Sequence, residues 1–251
     1  MAAAAEPWFS FAGKRAVVTG AGKGIGYEVS VALASHGADV IAVTRTASDL
    51  DKLTAEAGDK IFPVLCDISD VRDIKEKLGG AGDIDLVVNN AGIASLQPFM
   101  ETDPDAFDQV MAINVRGAMA VAQVAAANMK ARGVPGSIVN VSSQASKVGL
   151  VDHASYCASK GALDQLTRVM AVELGPDGIR SNCVNPTVVL TAMGKMAWSD
   201  PAKAKPMLDK IPLGRFAEVS DVVDPILFLL SDRSAMVNGA TIPIEGGFLC
   251  G

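Results

Sequence analysis

The segment Thr19-Gly-Ala-Gly-Lys-Gly-Ile-Gly26 constrains this chain more than any other. It follows a β-branched apolar run and opens a helical one. Gly20, Gly24 and Gly26 permit a tight turn and let backbone come close to a diphosphate. The helix that begins there offers free N–H groups and a positive dipole end. Glycines alone are weak evidence, but a strand before and a helix after are what a nucleotide-binding turn requires. An ordinary glycine-rich strand-to-helix turn remains the alternative.

The rest of the chain repeats that alternation. Near-continuous apolar runs predict strands at Arg15–Thr19, Asp39–Thr44, Ile61–Cys66, Leu86–Asn89, Ser137–Ser142, Ser181–Val184 and Ala240–Ile244. Helical patterns lie between them, at Gly24–Ser35, Ser48–Ala57, Val71–Leu78, Asp105–Lys130, Ala154–Leu174 and Ser220–Leu230. Asp103-Pro104 starts one helix and Gly175-Pro176 stops another. Strands alternating with helices predict an α/β fold with a seven-stranded parallel sheet, doubly wound and joined by right-handed crossovers. One domain over residues 1–251 accounts for the length, since α/β domains often reach about 250 residues. Thr191–Leu213 has weaker periodicity and reads as a loop with short helices, a candidate lid.

Composition narrows the partners. Lys plus Arg is 22 against 28 for Asp plus Glu, a formal net charge of −6. That argues against nucleic acid and anionic membrane surfaces, which call for a basic patch. Cys66, Cys157, Cys183 and Cys250 form no C-x-x-C pair, so no metal site is expected and reduced thiols in a cytoplasmic protein are the default. Met1–Pro7 lacks a basic region and is broken by Glu6 and Pro7, unlike a secretory signal. The densest apolar run, Pro225–Leu230, is far shorter than the roughly 20 residues of a membrane span, so no integral membrane segment is expected.

Two constellations carry chemistry. After the second strand, Thr44 brings no charge that would repel a phosphate, and Arg45 brings a planar donor fork suited to one. Lys23, inside the glycine turn, adds a second cation; solvated charge is the alternative for both. Further on, Tyr156 and Lys160 are four residues apart on a predicted helix and share a face. Ser143 stands at the end of the fifth strand, where ligands bind in parallel sheets. Asn114 lies in the preceding long helix. A phenol beside an ammonium can give a proton to a carbonyl oxygen. A serine hydroxyl can stabilise the charge developing on that oxygen. Near this set lie Gln144, His153 and Trp198: two polar groups and an apolar wall, suited to a small polar carbonyl compound. A cap on the strand end, a helix-start residue and lid packing are their respective alternatives.

The glycine spacing G-x-x-x-G-x-G, Asn89-Asn-Ala-Gly92, Tyr156-Cys-Ala-Ser-Lys160 and Asn185-Pro-Thr-Val188 together resemble the short-chain dehydrogenase/reductase family. The resemblance implies a Rossmann domain and NADP(H), the cofactor that accompanies basic residues at Lys23 and Arg45. It implies cofactor contacts at Gly20, Lys23, Gly24, Ile25, Gly26, Arg45, Thr46, Asp67, Asn90, Ala91, Gly92, Tyr156, Lys160, Val188 and Thr191. It implies a catalytic tetrad of Asn114, Ser143, Tyr156 and Lys160, with Asn114 holding a water that links Lys160 to solvent. Asp67 and Asn89 have structural alternatives, a turn and a sheet brace. Many members carry N-P-G, so Thr187 is a departure.

Longer stretches, among them Val141-Ser-Ser-Gln144 and Trp198-Ser-Asp-Pro201, resemble a branch of that family. Its members reduce α-dicarbonyls such as diacetyl, and pentuloses such as L-xylulose to xylitol, with NADPH. The likeness runs from about Phe9 to Phe248. It implies substrate contacts at Ser143, Gln144, His153, Tyr156 and Trp198, and a homotetramer. Lys147–Asp152 and the tail Leu249–Gly251 differ from the mammalian members. Two other functions stay open: a 3-oxoacyl-thioester reductase, and a non-catalytic interaction protein on the same fold.

Overall fold

Each apolar run becomes a strand because helices cover the sheet on both faces. In the computed structural model, which describes residues 8–251, the strands are β1 (Arg15–Thr19), β2 (Asp39–Thr44), β3 (Ile61–Leu65), β4 (Leu86–Asn89), β5 (Gly136–Val141), β6 (Ile179–Pro186) and β7 (Thr241–Ile244). The Met1–Pro7 segment, expected not to be a secretory signal, lies outside the described residues. All pairings are parallel, in the order β3-β2-β1-β4-β5-β6-β7. The order reverses between β1 and β4, which opens a crevice at the carboxyl ends of the strands.

The helices are α1 (Gly24–Ser35), α2 (Ala47–Ala57), α3 (Val71–Gly79), α4 (Pro104–Met111), α5 (Ala118–Arg132), α6 (Ala154–Leu174), α7 (Ala192–Ala197), α8 (Pro201–Leu208) and α9 (Val219–Leu230). Alternation along the strands sends side chains to two cores. Ala16, Val18, Val40 and Ala42 pack with Leu33 of α1 and Ile226 of α9. Val17, Ile41 and Val43 face the other way, against Ile74 of α3 and Met129 of α5.

Several boundaries depart from the expected ones, most by a single residue. The strand expected at Ser181–Val184 runs longer, because it pairs with β5 from Ile179 and with β7 as far as Pro186. The strand expected at Ser137–Ser142 starts and ends one residue earlier. The helix expected at Asp105–Lys130 is interrupted by a π-helical segment, Ala112–Gly117. Such segments disturb a helix locally and are frequent at functional sites. The run Pro104–Arg132 is long and apolar enough to cross a membrane by composition, but 56% of its most apolar window is buried inside the protein.

Candidate active site

The glycine turn is shaped by what a Cβ would hit. A Cβ at Gly26 would lie 2.4 Å from the Gly20 carbonyl oxygen and from Asn90 Nδ2. Gly20 has a φ of +64°, and its Cβ would lie 2.9 Å from Ala91 Cα. Asn90 braces this turn, its amide donating to the carbonyls of Thr19 (3.0 Å) and Gly20 (3.2 Å). Asn89 takes the structural alternative: its amide donates to Ala118 O and to Asn140 Oδ1, inside the core.

Beside the turn is a cavity of about 330 Å³ that brings together Gly20, Lys23, Arg45, Asp67, Asn90, Ala91 and Gly92. Lys23 also pairs with Asp49 Oδ2 at 3.4 Å. Asp67 makes the expected turn, accepting from the Ser69 amide at 2.9 Å. Thr46 precedes α2 and is exposed, without a side-chain cap bond. Gly24, Gly26 and Thr46 do not line the cavity. The bare glycine cradle, two cations at one end and a carboxylate at the other fit a phosphorylated dinucleotide.

A second cavity, about 680 Å³, meets the first at Asn90, Gly92 and Ile93. It brings together Ile25, Ser143, Gln144, His153, Tyr156, Lys160, Val188, Thr191 and Trp198. Lys160 is almost fully buried, donates to Val141 O at 2.8 Å and stands 5.5 Å from the Tyr156 ring centre. Ser143 Oγ accepts from the Ala145 amide at 3.1 Å, which orients the hydroxyl at the strand end. His153 has its Nδ1 2.6 Å from Val151 O, and Trp198 packs on Phe216 while lining the cavity. Thr191 Oγ1 caps α7 by accepting from Gly194 N.

Asn114 lies behind the cavity, in the π-helical segment, and is 1% exposed. Its Oδ1 accepts from Ile93 N at 2.8 Å, and its amide donates to Ile93 O and Ser159 Oγ. Both amide hydrogens are committed, so only Oδ1 retains a free lone pair. A Cβ at Gly92 would sit 3.2 Å from that oxygen and 3.5 Å from Lys160 Nζ. The missing side chain leaves a polar gap between them.

A family model described as Enoyl-(Acyl carrier protein) reductase matches residues 20–249. An L-xylulose reductase of Bos taurus is 58% identical over 238 residues, covering 95% of this chain and 97% of its own. A carbonyl reductase 2 of Sus scrofa, named for NADPH, is 51% identical, covering 96% and 98%. A solved short-chain type dehydrogenase/reductase from Mycobacterium marinum superposes with a TM-score of 0.89 at 34% identity, covering 97% and 98%. The chain belongs to the short-chain dehydrogenase/reductase family.

Several residues of the short-chain reductase pocket carry no motif and were not expected. Ile93, Leu150, Met207 and Lys210 line the second cavity from three different segments. Thr187 lines it too, and its hydroxyl is buried without a hydrogen-bond partner, as is Gln144 Oε1. Thr187 had a signal, the departure from N-P-G; the apolar ones had none. Among the described residues, no group of three His, Cys, Asp or Glu could hold a metal ion.

Proposed function

We propose that this chain is an NADPH-dependent reductase of small polar carbonyl compounds: α-dicarbonyls such as diacetyl, and pentuloses such as L-xylulose, reduced to xylitol. One observation carries this reading. Ser143, Tyr156 and Lys160 line a cavity that shares Asn90, Gly92 and Ile93 with the one that Lys23 and Arg45 line. Its relatives are named L-xylulose reductase and carbonyl reductase, which supports the reaction class.

Lys23 and Arg45 hold the 2′-phosphate of NADPH, the glycine turn and α1 hold the diphosphate, and Asp67 faces the adenine. Gly24, Ile25, Gly26, Thr46, Asn90, Ala91 and Gly92 complete the nucleotide site, and Val188 and Thr191 take the carboxamide end. Bound there, NADPH supplies the hydride that reaches the carbonyl carbon. Tyr156 gives its proton to the carbonyl oxygen. Ser143 donates a hydrogen bond to that oxygen as charge develops on it. The Lys160 ammonium stabilises the phenolate left on Tyr156. A water in the gap between Asn114 Oδ1 and Lys160 Nζ returns the proton. Gln144 and His153 hydrogen-bond the substrate's other polar groups, and Trp198 forms the apolar wall.

We infer a cytoplasmic homotetramer, a reading that the free cysteines and exposed apolar side chains such as Phe99 and Val172 support. A second reading is reduction of a 3-oxoacyl thioester; the family model's description names an acyl-thioester enzyme, though one acting on the C=C bond of an enoyl group. An NADPH-oxidation panel of diacetyl, L-xylulose and an acetoacetyl thioester separates the two. Turnover of the first two is expected, with a loss of about 10²–10⁴ in Tyr156→Phe. Turnover of the thioester alone overturns the proposal, and no turnover at all favours a non-catalytic protein.

A further inference from the structure

Behind the catalytic serine lies a buried carboxylate, paired with a partly exposed lysine, that the mechanism above does not use. Asp164 sits one turn after Lys160 on α6, on the same face, and is 2% exposed. A carboxylate taken out of water needs partners. Lys147 Nζ is 2.8 Å from its Oδ2. Asn185, wholly buried at the end of β6, places its amide nitrogen 3.1 Å from both carboxylate oxygens. That nitrogen also lies 3.2 Å from the Ser143 carbonyl and 2.9 Å from Ser146 Oγ. Burial pushes the Asp164 carboxyl up, but hydrogen bonds from Lys147, Ser142, Ser146 and Asn185 outweigh it and hold the group below the usual value. Ser142 Oγ also lies 3.3 Å from the Lys160 carbonyl oxygen.

The cluster therefore touches Ser142, Ser143, Ser146 and Lys147, the whole turn that carries the catalytic hydroxyl. Lys147 also begins the segment whose Leu150, Val151 and His153 wall the substrate cavity. The far end of that segment is tied down separately: the Gln97 amide donates to Asp152 O at 2.9 Å. Asp152 is the one non-glycine residue with positive φ among the described residues, at 63°. Between the two ties, the wall has a fixed length and direction.

We propose that the Lys147–Asp164 ion pair is a positioning device for substrate. It fixes the Ser143 turn and the near end of the Lys147–His153 wall to the helix that carries Tyr156 and Lys160. The pair touches neither substrate nor cofactor; it sets where the serine turn and the Lys147–His153 wall receive the substrate. This inference rests on the reductase reading above. Misplacement of a reacting group by about 1 Å can cost on the order of a hundredfold.

The test uses the full-length enzyme with NADPH and L-xylulose or diacetyl, whichever wild type turns over. Lys147→Met keeps the aliphatic stem and removes the charge. It is expected to raise the carbonyl KM about tenfold and to lower kcat less, with the NADPH Kd measured by fluorescence within twofold of wild type. Lys147→Arg, which restores the charge, is expected to recover most of the loss. Asp164→Asn alone and combined with Lys147→Met completes a double-mutant cycle, where the two effects should be less than additive. Two results overturn the proposal: an unchanged KM in Lys147→Met alongside a lowered melting temperature, or equal losses in carbonyl and NADPH binding. Absence of turnover in wild type overturns the reductase reading instead, and there the NADPH titration still reports whether the nucleotide site is intact.

Discussion

Gly92 acts through the side chain it lacks. Its position beside Asn114 Oδ1 and Lys160 Nζ makes room for the proposed bridging water. Gly92→Ala is expected to displace that water and lower kcat about tenfold, with little change in the melting temperature, because contacts of 3.2–3.5 Å need only small adjustments. Steady-state kinetics beside a thermal melt checks this. Arg45 is exposed at the mouth of the nucleotide cavity and Thr44 brings no charge. Arg45→Ala should weaken NADPH about tenfold or more and NADH hardly at all, read by fluorescence titration; equal weakening would falsify the 2′-phosphate assignment. The thiols divide by burial. Burial pushes Cys66 and Cys183 up to about 12, whereas Cys250 is exposed. A native thiol titration should label Cys250 promptly, and Cys66 and Cys183 only after unfolding. Residue types and spacing marked the proposed tetrad in the sequence. The commitments of each side chain were not legible there, because the partners of Asn114 are Ile93 and Ser159, from segments remote in the chain.

At the scale of elements, the strands were legible because burial on both faces demands apolar residues throughout. Their ends were less so, since register with a neighbour, not local composition, decides how far β6 extends. The π-helical segment was invisible to periodicity. Its helix passes so close to the loop before α3 that a Cβ at Gly117 would lie 2.3 Å from Ile68 O. Gly117→Ala should therefore destabilise the protein by about 1–3 kcal/mol through overpacking, measured by urea unfolding, and shift Asn114. The candidate lid at Thr191–Leu213 resolves into α7 and α8, each started by a side-chain cap, Thr191 and Asp200. These helices are too short for a hydrophobic period to announce them.

Over the whole molecule, the net charge of −6 and the proposed ligand look opposed. They are reconciled by placement: Arg45 and Lys23, the latter paired with Asp49, line a cavity beside the N-terminus of α1, so attraction to a phosphate is local. NADPH binding should weaken as salt rises, since such attraction between exposed charges is screened, and a titration across ionic strength reads it. The proposed tetramer predicts a light-scattering mass about four times the 25.9 kDa chain. The sequence by itself determined the α/β alternation, the phosphate-binding turn, and which residue types could pass a proton. Those depend on local pattern and on the chemistry of single side chains. Only the tertiary structure decided that the two cavities share Asn90, Gly92 and Ile93 as lining residues. It also decided that Asp164 anchors the serine turn through Lys147, and that two polar side chains of the substrate cavity, Gln144 and Thr187, hold buried atoms with no partner. Each of these depends on β4, β5, β6 and α6 coming side by side, and no local pattern encodes that juxtaposition.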